Sequence, residues 1–298
     1  MGESSRYASP EAARRAVTDR LKIQAAHSPW ALADLQRQYA YDQLIERLYR
    51  VDGGWVIKGA TALLARRVSV RHTIDLDVYR AGAIAETERL LREAAALDIG
   101  DWMTFEIGAA VQIHASGAQA ARAKVETFIG VRLWSAFQVD LVAEGIELTG
   151  HPDPVHPLTD IEILTSPRKT WQAYPLVDHI ADKVCAILER HQGLPSTRYK
   201  DLVDLVAIVH HTTVAASLQR EALVKEGRRR GLSLSRAFEV PDRQMWERGY
   251  RAEARRTTGL DEANLDAALT TVRPFLNPLL DGTATGSWDP LTQTWLDE

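Results

Sequence analysis

Thr73-Ile74-Asp75-Leu76-Asp77 sets two carboxylates two residues apart where apolar and acidic side chains alternate. On a strand over 74–78, residues i and i+2 share a face about 7 Å apart. Asp75 and Asp77 then project together, and Ile74, Leu76 and Val78 face a core. Neighbouring carboxylates repel unless a positive charge stands between them, and a hard divalent ion such as Mg²⁺ meets that need. The plain alternative is the solvent-facing edge of an amphipathic strand. A third acid strengthens the chemical case. In Phe137-Gln138-Val139-Asp140-Leu141-Val142, Asp140 lies opposite Val139 and Leu141. If this strand pairs beside 74–78, the three carboxylates form a cluster suited to two-metal phosphoryl transfer, with Asp75, Asp77 and Asp140 as metal ligands.

Further along, Lys58-Gly59-Ala60-Thr61 joins the short apolar strand 55–57 to the start of a helix. Such a junction points free N–H groups and a positive dipole end at one place, where a phosphate can bind. Gly59 permits close approach and the Thr61 hydroxyl offers a donor; an ordinary strand-to-helix turn is the alternative. On the helix expected over 176–191, Leu176, Val177, Ile180, Val184, Ile187 and Leu188 make the buried stripe, with Cys185 beside it in the core. Lys183 falls at the edge of the stripe and reaches out beside the core, whereas Asp182 points to solvent. The helix 199–211 is apolar nearly all round and carries Asp201 and Asp204. A buried carboxylate needs a partner, so Lys183, Arg198 or a site cation is expected there.

The elements that must position these groups follow from local signals. Ser9-Pro10 and Ser28-Pro29 each read as an N-cap followed by proline, opening two helices within the first fifty residues. Asp52-Gly53-Gly54 breaks the second helix, and 86–97 is a further amphipathic one. Segments 103–107, 111–114, 123–128 and 133–142 read as strands. A connection containing Pro152, Pro154, Pro157 and Pro167 follows, and the chain beyond Pro175 is helical over 176–191, 199–211, 214–229, 241–256 and 261–275. The Gly/Thr-rich tail 282–287 is expected to be loose. The outline is an α+β lobe over 1–165 and a helical lobe over 166–298.

Composition narrows the class. The 298 residues hold 36 Lys+Arg and 40 Asp+Glu, a net charge of −4, which argues against sequence-independent coating of nucleic acid. Local basic clusters remain at Arg66, Arg67 and Arg71, at Lys225 and Arg228 to Arg230, and at Arg248, Arg251, Arg255 and Arg256. A single Cys excludes an internal disulfide framework. No apolar run approaches the roughly 20 residues of a membrane span, and Met1 to Arg6 has no export signal behind it, so a cytoplasmic protein with no membrane partner is expected. The spacing of His151, His156, His210 and His211 fits no metal site.

Taken together, Lys58-Gly59-Ala60-Thr61-Ala62-Leu63, Arg71-His72-Thr73-Ile74-Asp75-Leu76-Asp77, Ile180-Ala181-Asp182-Lys183 and Lys200-Asp201-Leu202-Val203-Asp204-Leu205 occur in that order. They resemble the four motifs of the AbiEii/AbiGii-type nucleotidyltransferases, toxins of bacterial toxin–antitoxin systems that include the mycobacterial MenT group. The resemblance runs from about Tyr39 to Leu205. It implies a polymerase-β-like nucleotidyltransferase core with a mixed sheet and a helical C-terminal lobe. It also implies Mg²⁺, an NTP substrate, transfer to the 3′ end of tRNA that blocks aminoacylation, and a cognate antitoxin. Asp75 and Asp77 match the family's metal-binding pair, Lys183 its motif lysine and Asp204 its last essential acid. Thr73 falls where relatives carry a residue that an antitoxin kinase can phosphorylate. Lys58, Gly59, Ala60, Thr61, Arg66, Arg71 and Thr73 are the nucleotide-binding candidates. The phosphate turn departs from the family, which has Gly-Gly or Gly-Ser where this chain has Gly59-Ala60; the N–H remains and a hydroxyl is lost. Two other readings stand beside this one. A small-molecule nucleotidyltransferase would use the same acids on an aminoglycoside-like cation, and a degenerate domain would only bind a partner.

Overall fold

The computed structural model describes residues 6–68, 71–115, 118–159, 161–164 and 168–297. The first five residues, Pro167 and the expected lobe boundary at 165/166 lie outside them. The chain divides into two compact units. The first takes the described residues of 1–66, 72–146 and 152–173. The second takes those of 67–71 and 147–151 together with 174–297.

The first unit contains α1 (Pro10–Ala26), α2 (Leu32–Val51), β1 (Trp55–Lys58), α3 (Gly59–Ala65), β2 (Asp75–Arg80), α4 (Ile84–Ala96), β3 (Met103–Ile107), β4 (Val111–Ala115), β5 (Ala118–Ile129), β6 (Arg132–Val142), β7 (Asp153–Val155) and β8 (Trp171–Ala173). Ser9 caps α1, accepting from the Ala12 N–H, with Pro10 at the first position. Ser28 does not cap α2. Its hydroxyl accepts from the Trp30 N–H in a turn, and the helix opens three residues later behind Ala31, because Ser28 and its own side chain close a local loop first.

The sheet is mixed, in the order β3-β5-β6-β2-β1-β8-β7. The pairs β2–β6 and β1–β8 are parallel, and the other pairs are antiparallel. The long β5 carries β3 along its second half and β4 along its first. Alternation sorts the faces. Ile57, Leu76, Val78, Val125, Phe137, Val139 and Leu141 are buried against Tyr39, Tyr41, Leu44, Leu48, Leu90 and Leu91 of α2 and α4. One buried pair ties α2 to the start of β3: the Arg47 guanidinium donates to both Asp101 oxygens at 2.8 and 2.6 Å and to the carbonyls of Gln43, Leu97 and Met103. All its donors are satisfied, as a buried charge requires.

The second unit contains α5 (Leu176–Leu188), the hairpin β9 (Arg190–His191) and β10 (Leu194–Pro195), α6 (Tyr199–His211), β11 (Val214–Ala215), α7 (Ala216–Arg229), α8 (Arg243–Ala254), α9 (Leu265–Asp281), β12 (Ser287–Asp289) and β13 (Thr294–Leu296). The apolar α6 is buried among α5, α8 and α9. The tail from Gly282 is not loose. Ala284 is buried and donates to the Pro278 carbonyl at 2.8 Å, and β12 pairs with both β11 and β13. Trp288 anchors it, with its indole N–H on the Val209 carbonyl at 2.9 Å and its ring edge-on to Phe275. The Gly/Thr composition hid an aromatic anchor just beyond it. Among the described residues, no helix is long and apolar enough to cross a membrane.

Candidate active site

Asp75 and Asp77 begin β2, and the ladder fixes what stands beside them. Reading across β5, β6, β2 and β1, one row is Arg122–Asp140–Asp77–Lys58 and the next is Lys124–Gln138–Asp75. Directly paired residues point to the same face, so this polar face backs the apolar one described above. The expected neighbourhood of β2 and β6 is therefore present, with Asp140 beside Asp77.

Arg122 changes what Asp140 can do. Its Nε and Nη2 donate to the two Asp140 oxygens at 2.7 and 2.6 Å. That bidentate bond holds the guanidinium pKa above its usual range, and the fields of Asp75 and Asp77 add to the effect. A three-carboxylate cluster for two metal ions was the expectation. The structure instead sets an arginine into the row, and among the described residues no three acidic, His or Cys side chains are grouped to hold a metal. Asp75 and Asp77 still suit a hard cation by donor type. A Cβ built on Gly59 would lie 1.9 Å from Asp77 Oδ2, and Gly59 has φ +57°, so only glycine leaves room for that carboxylate.

The backbone of Asp75 is held from two sides. Thr73 Oγ1 accepts from its N–H at 3.3 Å and donates to its carbonyl at 3.1 Å, while Thr61 Oγ1 donates to the same carbonyl at 3.3 Å. Thr61 is fully buried, so its hydroxyl serves Asp75 and is not presented to a phosphate as expected. Ala60 and Lys58 are buried as well. Tyr41 donates to the Thr73 carbonyl at 3.4 Å; burial first, then Asp75 and Asp77, keep its phenol protonated far above the usual range. Arg66 donates to Asp153 at 2.5 Å.

The second unit holds its own charged group. Asp204 is fully buried on α6 and accepts from Arg71 Nε and Nη2 at 2.8 and 2.7 Å and from Lys183 Nζ at 2.6 Å. Lys183 also donates to Asp201 at 3.0 Å. Burial opposes both charged forms, yet the ion pairs prevail: the Asp204 carboxyl stays well below the carboxylate range and the Lys183 ammonium above its own. Lys183 thus has the partners expected of a buried α6 acid, and it is itself buried rather than at an open edge. Asp182 is half-buried and not simply solvated; it pairs with Arg230, which also binds Glu189 at 2.8 Å. Cys185 is buried, and desolvation pushes its thiol up to about 12.

Arg122 and Lys124 were not singled out from the sequence. Their signal is the alternation Arg122, Lys124, Glu126 in 118–129, but only the β5–β6 register turns that alternation toward the acids.

The mixed sheet with paired acids at the start of β2 is the arrangement of a nucleotidyltransferase. The profile of the family described as nucleotidyl transferase AbiEii toxin, type IV TA system, matches residues 44–271, and the chain belongs to that family. Among solved structures it is similar to MenT4, the nucleotidyltransferase toxin Rv2826c from Mycobacterium tuberculosis H37Rv, at 16% identity and a TM-score of 0.51, covering 90% of this chain and 98% of that one. JHP933 from Helicobacter pylori matches at 14% identity and a TM-score of 0.47, over 84% of this chain and 91% of that one. The search of curated proteins returns no match. The chain is a toxin-type nucleotidyltransferase, and its family implies an NTP substrate and a cognate antitoxin.

Proposed function

We propose that this chain transfers a nucleotidyl group from an NTP to the 3′ end of tRNA, with Mg²⁺, in the cytoplasm, and so blocks aminoacylation. The observation that supports it most is the pair Asp75 and Asp77 on one sheet face, with Gly59 leaving space for the Asp77 carboxylate. Asp75 and Asp77 would hold the ion. When bound, Mg²⁺ polarises the α-phosphate and lowers the pKa of the attacking hydroxyl. The acceptor oxygen bonds to the α-phosphorus, the bond to the bridging oxygen breaks, and pyrophosphate leaves. The hydroxyl proton passes to a carboxylate, and Asp140 serves when Arg122 releases one of its oxygens. Lys183 keeps one N–H beyond those on Asp201 and Asp204, and that donor, with Arg71, would act on the phosphates. Phosphorylation of Thr73 would remove the bond its hydroxyl donates to the Asp75 carbonyl and add negative charge beside the pair, and so disorganise it. The division near 165/166 is proposed as the border between the catalytic lobe and a helical one.

An RNA acceptor is favoured over a small cation by α8. Arg248, Arg251 and Arg255 follow one another at helical spacing, are half-exposed or exposed, and among the described residues have no ion-pair partner, as does the exposed Arg256. The Arg229 and Arg230 cluster is different, since Glu226 takes both. Glu106 and Glu126, opposed across β3 and β5, are the observation that favours a cationic acceptor. The test is incubation with total tRNA, Mg²⁺ and each α-³²P-NTP in turn, beside Asp75→Ala. Label in RNA of tRNA size, absent from the variant, supports the reading. Label in no RNA with any NTP overturns it.

A further inference from the structure

A cleft of about 700 Å³ in the first unit is lined by residues of both sheet faces, and Asp75 forms part of its wall. It extends from Asp75 over β6, β5 and β3, with Arg37, Lys124, Glu106, Glu126 and Gln138 supplying polar groups. The opposite flank of β2 is closed: α3 packs on it, Thr61 is buried there, and Gly59 stands against Asp77. The cleft is therefore one approach to Asp75 within this unit.

Four of its polar side chains are uncommitted. Arg122 and Asp140, one row away, satisfy each other. Among the described residues Lys124, Glu126, Gln138 and Glu106 make no side-chain hydrogen bond or ion pair, and Arg37, bound to Asp34 at 3.1 Å, leaves its Nε unpaired. Glu106 and Glu126 stand directly opposite across two strands, a like-charge pairing that costs stability unless a donor satisfies it.

The charge balance decides which substrate fits. With Arg37 already paired to Asp34, Lys124 alone faces Asp75, Glu106 and Glu126, leaving two excess negative charges. That balance rejects a triphosphate, whose own charge is far more negative, and suits a nucleoside carrying a single phosphodiester. Lys124, in the row of Asp75, can take that phosphate. Beyond it, Glu126 and Glu106 repel a second phosphate, so a chain end fits and a running strand does not. Carboxylates accept from the exocyclic amines of adenine or cytosine, and the Gln138 amide reads a base edge. Ile74 is 53% exposed beside Asp75 and offers an apolar ledge to the sugar or base.

We propose that this cleft is the acceptor subsite and takes the terminal nucleotide of an RNA chain, with Lys124 on its phosphodiester and Gln138 and Glu126 on its base. The inference rests on the RNA-acceptor reading above and names the residues that determine acceptor choice. Lys124 and Glu126 are exposed, so their substitution leaves the core intact.

The experiment measures KM for tRNA and for NTP separately in the full chain, and binding of a fluorescent oligoribonucleotide without NTP at several salt concentrations. Lys124→Ala is expected to raise KM for RNA about tenfold, lower the slope of log affinity against log salt by about one, and leave KM for NTP within about twofold. Lys124→Arg restores the slope. Glu126→Gln alters the preference among oligonucleotides ending in A, C or U with no change in salt slope. Unchanged KM for RNA and unchanged slope in Lys124→Ala, in an enzyme that labels tRNA, overturn the acceptor subsite alone. A wild type that labels no RNA overturns the RNA reading and the subsite with it. Transfer to an aminoglycoside-like polyamine, strengthened by Lys124→Ala and lost in Glu126→Gln, assigns the cleft to a cationic acceptor instead.

Discussion

The first unit stands its Asp75–Asp77 pair on an open sheet face, and the second encloses its Asp204 group. Asp75 and Asp77 are half-buried, Arg122 is 43% exposed on its side chain, and several cleft groups have no partner among the described residues. Asp204 is 0% exposed and meets two cations within 2.8 Å. A charge that keeps water can exchange it for a ligand. A charge without water must be matched inside the fold, and then serves as a strut. The same carboxylate chemistry thus gives binding capacity in one unit and rigidity in the other.

Substitutions separate the two behaviours. Asp77→Asn is expected to lower nucleotidyl transfer about a thousandfold or more, since a metal ligand contributes several kcal/mol to the transition state, with an unchanged melting temperature. Retained transfer would remove Asp77 from the site. Asp204→Ala should instead cost about 3–5 kcal/mol in a denaturant titration, because Arg71 and Lys183 lose the anion they are buried against. A loss no larger than that of a surface variant would make the second unit's network expendable. Gly59→Ala is expected to cost about 1–3 kcal/mol, from a left-handed backbone and a Cβ that meets Asp77. It should also weaken Mn²⁺ binding, measured by the loss of the free-ion resonance signal.

Acid pH sharpens the contrast between two fully buried acids. Asp42 in the first unit accepts from the Leu158 and Thr159 N–H groups and the Thr159 hydroxyl, but its nearest cation, Arg168, is 3.7 Å away. Burial raises its pKa to about 6. The folded state then binds a proton that the unfolded state lacks, so stability rises as pH falls from about 6 toward the ordinary carboxylate value of about 4. Asp204 has the opposite sign: its contribution is complete above about 4 and is lost as pH falls further. Chemical denaturation between pH 7 and 3 should show this rise and then a fall, with the rise removed in Asp42→Asn. The smallest effect is expected at Arg122→Gln. With Arg122 43% exposed, the pair contributes about 1 kcal/mol to stability, yet removing the cation beside three acids should tighten Mn²⁺ binding.

Much of this was legible in local pattern. The strict alternation around Asp75 and Asp77, the apolar α6 and the Ser9-Pro10 cap each encode their element within a few residues. The N-terminal end of α2 was misplaced because Ser28 can close a turn or cap a helix with the same hydroxyl. The tail was misread because its glycines and threonines are adjacent in sequence, whereas the Trp288 packing that orders it involves Val209 and Phe275, far away along the chain.

By itself the sequence determined which residues are acids, which face of each strand they occupy, and that a carboxylate on α6 must be matched. These follow from side-chain period and the cost of burying charge. Only the tertiary structure decided the neighbours. Register, with a side-chain period of two, put Arg122 on Asp140 and Lys124 in the row of Asp75; a slip of one residue would have turned both away. Likewise only packing brought Arg71 to the carboxylate that Lys183 also holds, since a pair 133 residues apart leaves no local trace.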